Sequence, residues 1–426
     1  MIKMKKDFNQ KFTTGFTLLE LLIVIGILAI LASITFVALN PAEQLKKARD
    51  SRRLSDLKSL DKAISIYESQ TTNPVTGSST KVYLSLPDTS ATCASYSLPP
   101  APPGYSYACV TEANLRKTDS TGWVPVNFSS IAIGSPLSVL PQDPKNDATY
   151  YYTYVTGGSF MLSGLMESQG NKISDQAIAD GGRMPGTFEL GSDLSLGPFT
   201  RDNGLVGYWT FDEGTGTTAY DYSGQGNNGT FTGSPTWETS ANCRNRGMCL
   251  GTTVNGVAQY ASTGDPASGI LDFSNTDSFS YSAWIKATSQ EISTYLFAKG
   301  GTSLSVAGYT TYSGSNGLER CSYSDGDGSG NTNLSLSTTN VFNSGWHMVT
   351  CIMDTRAGKF SVYIDGNYEG TDISLTEGSA KNSTNLLVFG ETQSANYEVD
   401  GYIDDVRIYN RALSAEEIQA IYNATK

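Results

Sequence analysis

The chain holds 426 residues with 41 acidic and 29 basic side chains, a net charge of −12, and its length calls for two or three domains rather than one. From Gly204 onward 11 basic residues face 23 acidic ones, while the remainder carries 18 of each; nucleic-acid binding by the C-terminal part is disfavoured, because phosphate needs a basic surface. One histidine, six cysteines without Cys-x-x-Cys spacing and no Gly-x-Ser-x-Gly leave no recognisable zinc site or hydrolase triad.

The first element is the run GFTLLELLIVIGILAILASITFVAL at residues 15–39, preceded by lysines at 3, 5, 6 and 11. A helix over 16–39 rises about 36 Å, enough to cross a hydrocarbon core of about 30 Å. It is too long for the apolar core of a cleaved signal peptide. A plain transmembrane anchor leaves Glu20 unexplained, since a charged group near the centre of such a helix costs on the order of 2.5–3.5 kcal/mol.

Gly15, Phe16, Thr17, Leu18, Leu19 and Glu20, placed between the lysines and the apolar run, resemble the class III leader of type IV pilins and pseudopilins. The resemblance implies cleavage by a prepilin peptidase between Gly15 and Phe16 and methylation of Phe16. It also implies retention of the helix first in the cytoplasmic membrane and then in a filament core. Glu20 becomes the fifth mature residue and faces the N-terminal amine of a neighbouring subunit, a cation that offsets its burial. The expected partners are therefore other pilin subunits and the peptidase. The expected location is a bacterial surface filament, with a single-pass membrane state before assembly.

After Pro41, which predicts a kink or restart near Asn40, Leu54, Leu57, Leu60, Ile64 and Tyr67 recur at three and four residues and predict one apolar helix face. Glu43 with Lys47 and Asp50 with Arg53 are pairs at helical spacing. The cluster Lys46, Lys47, Arg49, Arg52 and Arg53 reads as a solvated face, with contact to anionic lipid or a neighbouring subunit as the alternative.

Residues 71–170, rich in Ser, Thr, Pro and Tyr, contain alternating runs such as ATYYYTYVT and SFMLSGLMES and predict a small antiparallel sheet. The segment PLSVLPQDPKNDATYYYTYV resembles the sheet region of secretion-type pseudopilins. Asp143, Asn146 and Asp147 there read as an ordinary turn, with calcium ligation as the alternative. Residues 171–203 lack periodicity and carry Gly and Pro, and read as a linker.

Residues 204–426 alternate short strands (AWIKA, HMVTCIMD, FSVYIDGNYEG, LLVFGET) with Gly, Asn and Ser clusters, the pattern of a sandwich or barrel. Asp365-Gly366 predicts a hairpin turn, and Ser414 with Glu417 a capping box on a closing helix. The motifs GYWTFDEGTG, DYSGQGNNGT, SGWHMVTCIMD and GYIDDVRIYNRALSAEEI, in that order, resemble the laminin-G-like jelly roll of the concanavalin A-like lectin/glucanase superfamily. That fold hosts lectins, adhesins and glycosidases alike. The glucanase pattern Glu-x-Asp-x-x-Glu begins at Glu398 and Asp400, but Ile403 stands in place of the second glutamate, so no catalytic residue and no enzyme activity are expected. His347 reads as structural. The resemblance further implies a calcium ion clamped between acids near the first and last strands, here Asp212, Glu213, Asp221, Asp404 and Asp405; the alternative is that these acids cap turns.

All six cysteines, Cys93, Cys109, Cys243, Cys249, Cys321 and Cys351, follow the apolar run, and an even count behind a secretory leader favours disulfides. Of the 15 connectivities, nearest-neighbour pairing is expected, because each bond then stays within one subdomain and closes a modest loop.

The expected fold is α+β: a leader (1–15), a long helix (16–70, with 16–39 the membrane and filament core), a small antiparallel-sheet pilin domain (71–170), a linker (171–203) and an all-β jelly roll (204–426). The expected function is a minor, tip-located pilin or pseudopilin whose module binds an extracellular glycan or surface protein in adhesion. The second reading is a structural pseudopilin of a secretion or DNA-uptake filament whose module binds protein cargo rather than sugar.

Overall fold

The computed structural model describes residues 18–27, 41–96, 104–168, 186–196, 204–239, 242–244, 248–252, 259–266, 268–274, 276–287, 294–300, 308–314, 317–324, 332–342, 345–369, 373–374, 385–390 and 401–426, with 98, 101, 176–177, 180, 182 and 184. Two compact units divide the chain, Met1–Arg49 and Asp50–Lys426.

In the first unit residues 18–27 form a helix, α1, whose side chains, Glu20 included, are exposed. Among the described residues no helix is long and apolar enough to cross a membrane. The leader cleavage site and residues 28–39 of the expected span lie outside the described residues.

Helix α2 (Pro41–Gln70) begins on its proline. At the first helical position the missing N–H costs nothing and the fixed φ suits the helix. From Asp50 onward, in the second unit, the predicted stripe is the buried face: Leu57, Leu60 and Ile64 are fully buried, with Leu54 and Tyr67 nearly so. Each large apolar side chain buried this way contributes roughly 1.5–3 kcal/mol.

The stripe packs on a five-stranded sheet of β1 (Lys81–Pro87), β2 (Ser106–Val110), β3 (Tyr152–Thr156), β4 (Phe160–Leu165) and β5 (Thr187–Gly191), ordered β2-β1-β3-β4-β5. Among the described residues β1 and β2 run parallel and the other pairs of this sheet antiparallel. Tyr152, Tyr154, Phe160 and Leu162 join the helix-side core. Val82, Leu84, Val155 and the Cys93–Cys109 disulfide form a second core on the opposite face. Strand β5 corrects the expected linker at 171–203: Leu162 pairs with Leu190 and Gly164 with Phe188, so the sheet extends past residue 170. TFELG is short and flanked by glycines, which hides it from a periodicity reading.

The remaining strands are β6 (Leu205–Trp209), β7 (Thr218–Ala219), β8 (Gly229–Thr232), β9 (Thr236–Thr239), β10 (Met248–Thr252), β11 (Tyr260–Thr263), β12 (Phe279–Ala287), β13 (Thr294–Lys299), β14 (Gly308–Ser313), β15 (Leu318–Ser324), β16 (Thr332–Asn340), β17 (His347–Asp354), β18 (Lys359–Ile364), β19 (Asn367–Tyr368), β20 (Ile373–Ser374), β21 (Leu387–Phe389) and β22 (Gly401–Tyr409). They form two sheets. One follows β19-β18-β17-β12-β22-β10-β9, with β20 beside β18 and β6 beside β22; the other follows β16-β15-β14-β13-β21-β11-β8-β7.

Their inner faces share one core in which Trp209, Phe279, Tyr281, Ile403 and Val406 meet Tyr309, Tyr323, Leu387 and Phe389. The Cys321–Cys351 disulfide joins β15 to β17 through that core. Asp365 and Gly366 make the β18–β19 hairpin with φ of 52° and 80°, the left-handed pair a two-residue turn needs.

Helix α3 (Ala415–Thr425) opens on the Ser414–Glu417 capping box. Its Ile418 and Ile421 cover the outer face of the first sheet against Trp284, Met348 and Leu205.

Candidate functional site

Two of the expected acids, Asp404 and Asp405, are adjacent on β22. Strands normally send adjacent side chains to opposite faces, yet Asp404 and Asp405 share partners. A bulge is responsible: Ser282 pairs with Arg407 and Trp284 with Asp404, so two residues of β22 oppose Ala283, and Asp405 takes a φ of 49°.

Both carboxylates then meet one guanidinium. Arg244 Nη1 lies 3.4 Å from Asp404 Oδ2 and 3.2 Å from Asp405 Oδ2. Its guanidinium stacks 3.7 Å above the centroid of the Trp284 ring. On the far side of Asp405 the Tyr208 hydroxyl donates to Oδ1 at 2.5 Å and itself accepts from Arg407 Nη2 at 2.9 Å. Burial holds the Asp404 carboxyl well above the usual carboxylate range, the neighbouring Asp405 charge adds to this, and Arg244 opposes it. Asp212 is close enough to raise Asp404 further.

The other expected ligands are occupied elsewhere. Asp221 accepts from the backbone N–H groups of Tyr208, Ser223 and Asn227 at 3.0, 2.9 and 2.9 Å, which staples the glycine-rich loop to β6. Glu213 accepts from Tyr220 N at 2.7 Å, and burial pushes its carboxyl up to about 7.

Among the described residues no three acidic, cysteine or histidine side chains form a metal-ligating group. A calcium ion wants six to eight oxygens around one centre. This arrangement instead places a guanidinium between Asp404 and Asp405 and backbone N–H groups on Asp221, so the residues as arranged do not fit the ion.

Arg244 escaped the sequence reading, its partners being 160 positions away. The pointer available was its place beside Cys243, inside the short loop closed by Cys243–Cys249.

Elsewhere, Glu398 and Asp400 lie outside the described residues, and Ile403 is fully buried in the sandwich core. His347 Nδ1 lies 2.7 Å from Asp365 Oδ2, while Asp365 Oδ1 accepts from Met348 N, which fixes the imidazole against its own hairpin.

Beside the five-stranded sheet, Asp143, Asn146 and Asp147 do not converge. Asn146 accepts from Ser85 Oγ at 3.0 Å, Asp147 from Tyr150 N at 2.8 Å, and Asp143 binds Arg53. Arg53 is thus a correction to the solvated-face reading: it is fully buried, paired with Asp50, Asp143 and Glu167.

Comparison with known families finds two matches. Residues 11–36 match the prokaryotic N-terminal methylation motif, and residues 255–419 match the concanavalin A-like lectin/glucanases superfamily. No curated protein matches the sequence.

Among solved structures the binding domain of Paraclostridial Mosquitocidal Protein 1 is similar at 15% identity and a TM-score of 0.42, covering 51% of this chain and 52% of its own. The binding domain of botulinum neurotoxin DC, solved with rat synaptotagmin II, gives 15%, 0.42, 52% and 52%. A structure of botulinum neurotoxin type C, whose cell entry is dependent upon interaction with two ganglioside molecules, gives 17%, 0.41, 52% and 52%. The chain spans about half the length of these structures, and a likeness of this degree carries no functional argument.

Proposed function

We propose that this chain is a minor type IV pilin or pseudopilin that carries a lectin-like module outward on a filament, where the module binds an extracellular glycan or surface protein without turning it over. The observation that carries the reading is the union, in one chain, of the methylation motif at 11–36 with the lectin-like module at 255–419. The motif supports processing by a prepilin peptidase, a membrane-anchored precursor and assembly with other pilins.

A helix laid on a small sheet, with Leu57 and Leu60 against Tyr152 and Leu162, supports a pilin-like body between the two. A buried isoleucine at the position of the second glucanase carboxylate supports binding without hydrolysis. A large module on every subunit would crowd a filament, which favours a minor, tip-located place.

A glycan array probed with the purified chain, with and without chelator, tests the reading. Saturable binding to a glycan class without release of reducing sugar is the expected result. Sugar release would overturn the binding role, and a blank array beside retained capture of secreted protein would move the assignment to the structural pseudopilin.

A further inference from the structure

We propose that Arg244 is the built-in cation of the Asp404–Asp405 pocket, held there by the Cys243–Cys249 disulfide, and that a metal ion enters this pocket only when the guanidinium leaves it.

Two carboxylates brought side by side by a bulge and nearly excluded from water need a positive partner, because a buried unpaired charge costs several kcal/mol. Arg244 meets that need through one nitrogen, Nη1, shared between the two acids. The Trp284 ring backs the guanidinium, whose central carbon lies 3.7 Å from the ring centroid, and only 8% of the Arg244 side chain is exposed.

The loop is fastened on both sides of the arginine. Cys249 is fully buried on β10 and bonded to Cys243. Asn242 accepts from Trp346 Nε1 through its carbonyl at 3.1 Å and donates through Nδ2 to Glu238 Oε2 at 3.2 Å. Arginine is also suited to this place chemically: it is planar, permanently charged and weakly hydrated, so it stacks on tryptophan and gives up water more readily than lysine.

Withdrawing it leaves Asp404 Oδ2 and Asp405 Oδ2 facing a void of guanidinium size, with the charge of Asp212 near Asp404. Those are hard oxygen donors of the class a calcium or lanthanide ion takes. The disulfide, by setting where Arg244 sits, decides which cation the pocket holds.

Terbium luminescence sensitised by tryptophan reads this pocket locally, since Trp284 forms its wall. In the full chain, wild type is expected to show no saturable terbium site here. Arg244→Gln, near in size but uncharged, should gain one with affinity at least about tenfold tighter, lost again in Arg244→Gln/Asp405→Asn. Arg244→Lys should stay dark, because an ammonium still fills the pocket. The double variant Cys243→Ala/Cys249→Ala should gain the site more weakly, as the freed loop lets the arginine leave part of the time.

An Arg244→Gln protein that melts cooperatively only when calcium chloride is added reports the same exchange through stability. The proposal is overturned if Arg244→Gln stays dark or unfolded at every calcium concentration, or if wild type already shows saturable emission that Asp405→Asn removes. A dark cysteine double variant beside a bright Arg244→Gln overturns the role of the disulfide.

Discussion

Arg53 holds Asp143 across 90 positions of sequence through two parallel hydrogen bonds, Nε to Oδ2 at 2.6 Å and Nη2 to Oδ1 at 2.9 Å, with both side chains fully out of solvent. The remaining donors reach Asp50 and Glu167, and Asp50 in turn accepts from the backbone N–H groups of Glu167 and Ser168. This network fixes α2 to the loop before β3 and to the end of β4. Arg53→Ala strands three buried carboxylates and should destabilise α2 and its five-stranded sheet by about 3–5 kcal/mol in urea denaturation. Arg53→Lys should recover little of that, because an ammonium lacks the two-pronged geometry.

The carboxyl of Glu319 is fully buried beside Ser313, and burial pushes it up to about 8. Between its ordinary value near 4.5 and about 8 the folded chain binds a proton that the unfolded chain has lost, so stability falls as pH rises through that window. The slope is about 1.4 kcal/mol per pH unit for one proton, and it ends once the folded group ionises. Glu319→Gln should melt with a shallower pH dependence than wild type and be the more stable protein at pH 9. Parallel melting profiles of the two would contradict this.

The three disulfides span 16, 6 and 30 positions. On a chain-entropy basis the Cys321–Cys351 bond, which also joins the two sheets, constrains the unfolded chain about 1.4 kcal/mol more than Cys243–Cys249 does. Replacing each pair by alanine should therefore lower the melting temperature more for the 321–351 pair. The opposite ranking would point to the Arg244 loop as the larger contributor to stability.

Leader processing is the next expectation. The mature chain should begin at Phe16, with fifteen residues lost and one methyl group gained in its intact mass. A bulky replacement of Gly15 should block the cut. Glu20→Ala should still reach the membrane but enter filaments poorly, and normal incorporation of that variant would remove the role given to its carboxylate.

Much of the architecture is written in local patterns. The leucine stripe of α2, the Asp365-Gly366 turn and the Ser414–Glu417 cap each depend on residues a few positions apart, and all three stand in the structure as read. What escaped depends on distant partners. Nothing local separates Arg52, which is exposed and pairs with Asp56, from Arg53 beside it, which is buried by an aspartate 90 positions on. The sequence offers Asp404 and Asp405 as calcium ligands or as turn caps; in the structure the Tyr208 hydroxyl on β6 donates to Asp405. Their cation is an arginine because a bulge turns both acids to one face and a disulfide loop delivers Arg244 to it, and neither event has a periodic signature.

The most direct test of the central claim, a processed filament subunit that displays a binding module, is attachment by cells whose only copy of the protein lacks residues 204–426. The account predicts that the truncated chain is still cleaved ahead of Phe16 and inserted, while attachment to the glycan or surface that the full chain recognises falls by at least about tenfold, since many weak contacts on one surface multiply avidity by about 10² to 10⁴. Attachment unchanged by the deletion, with the truncated subunit properly processed, would contradict it.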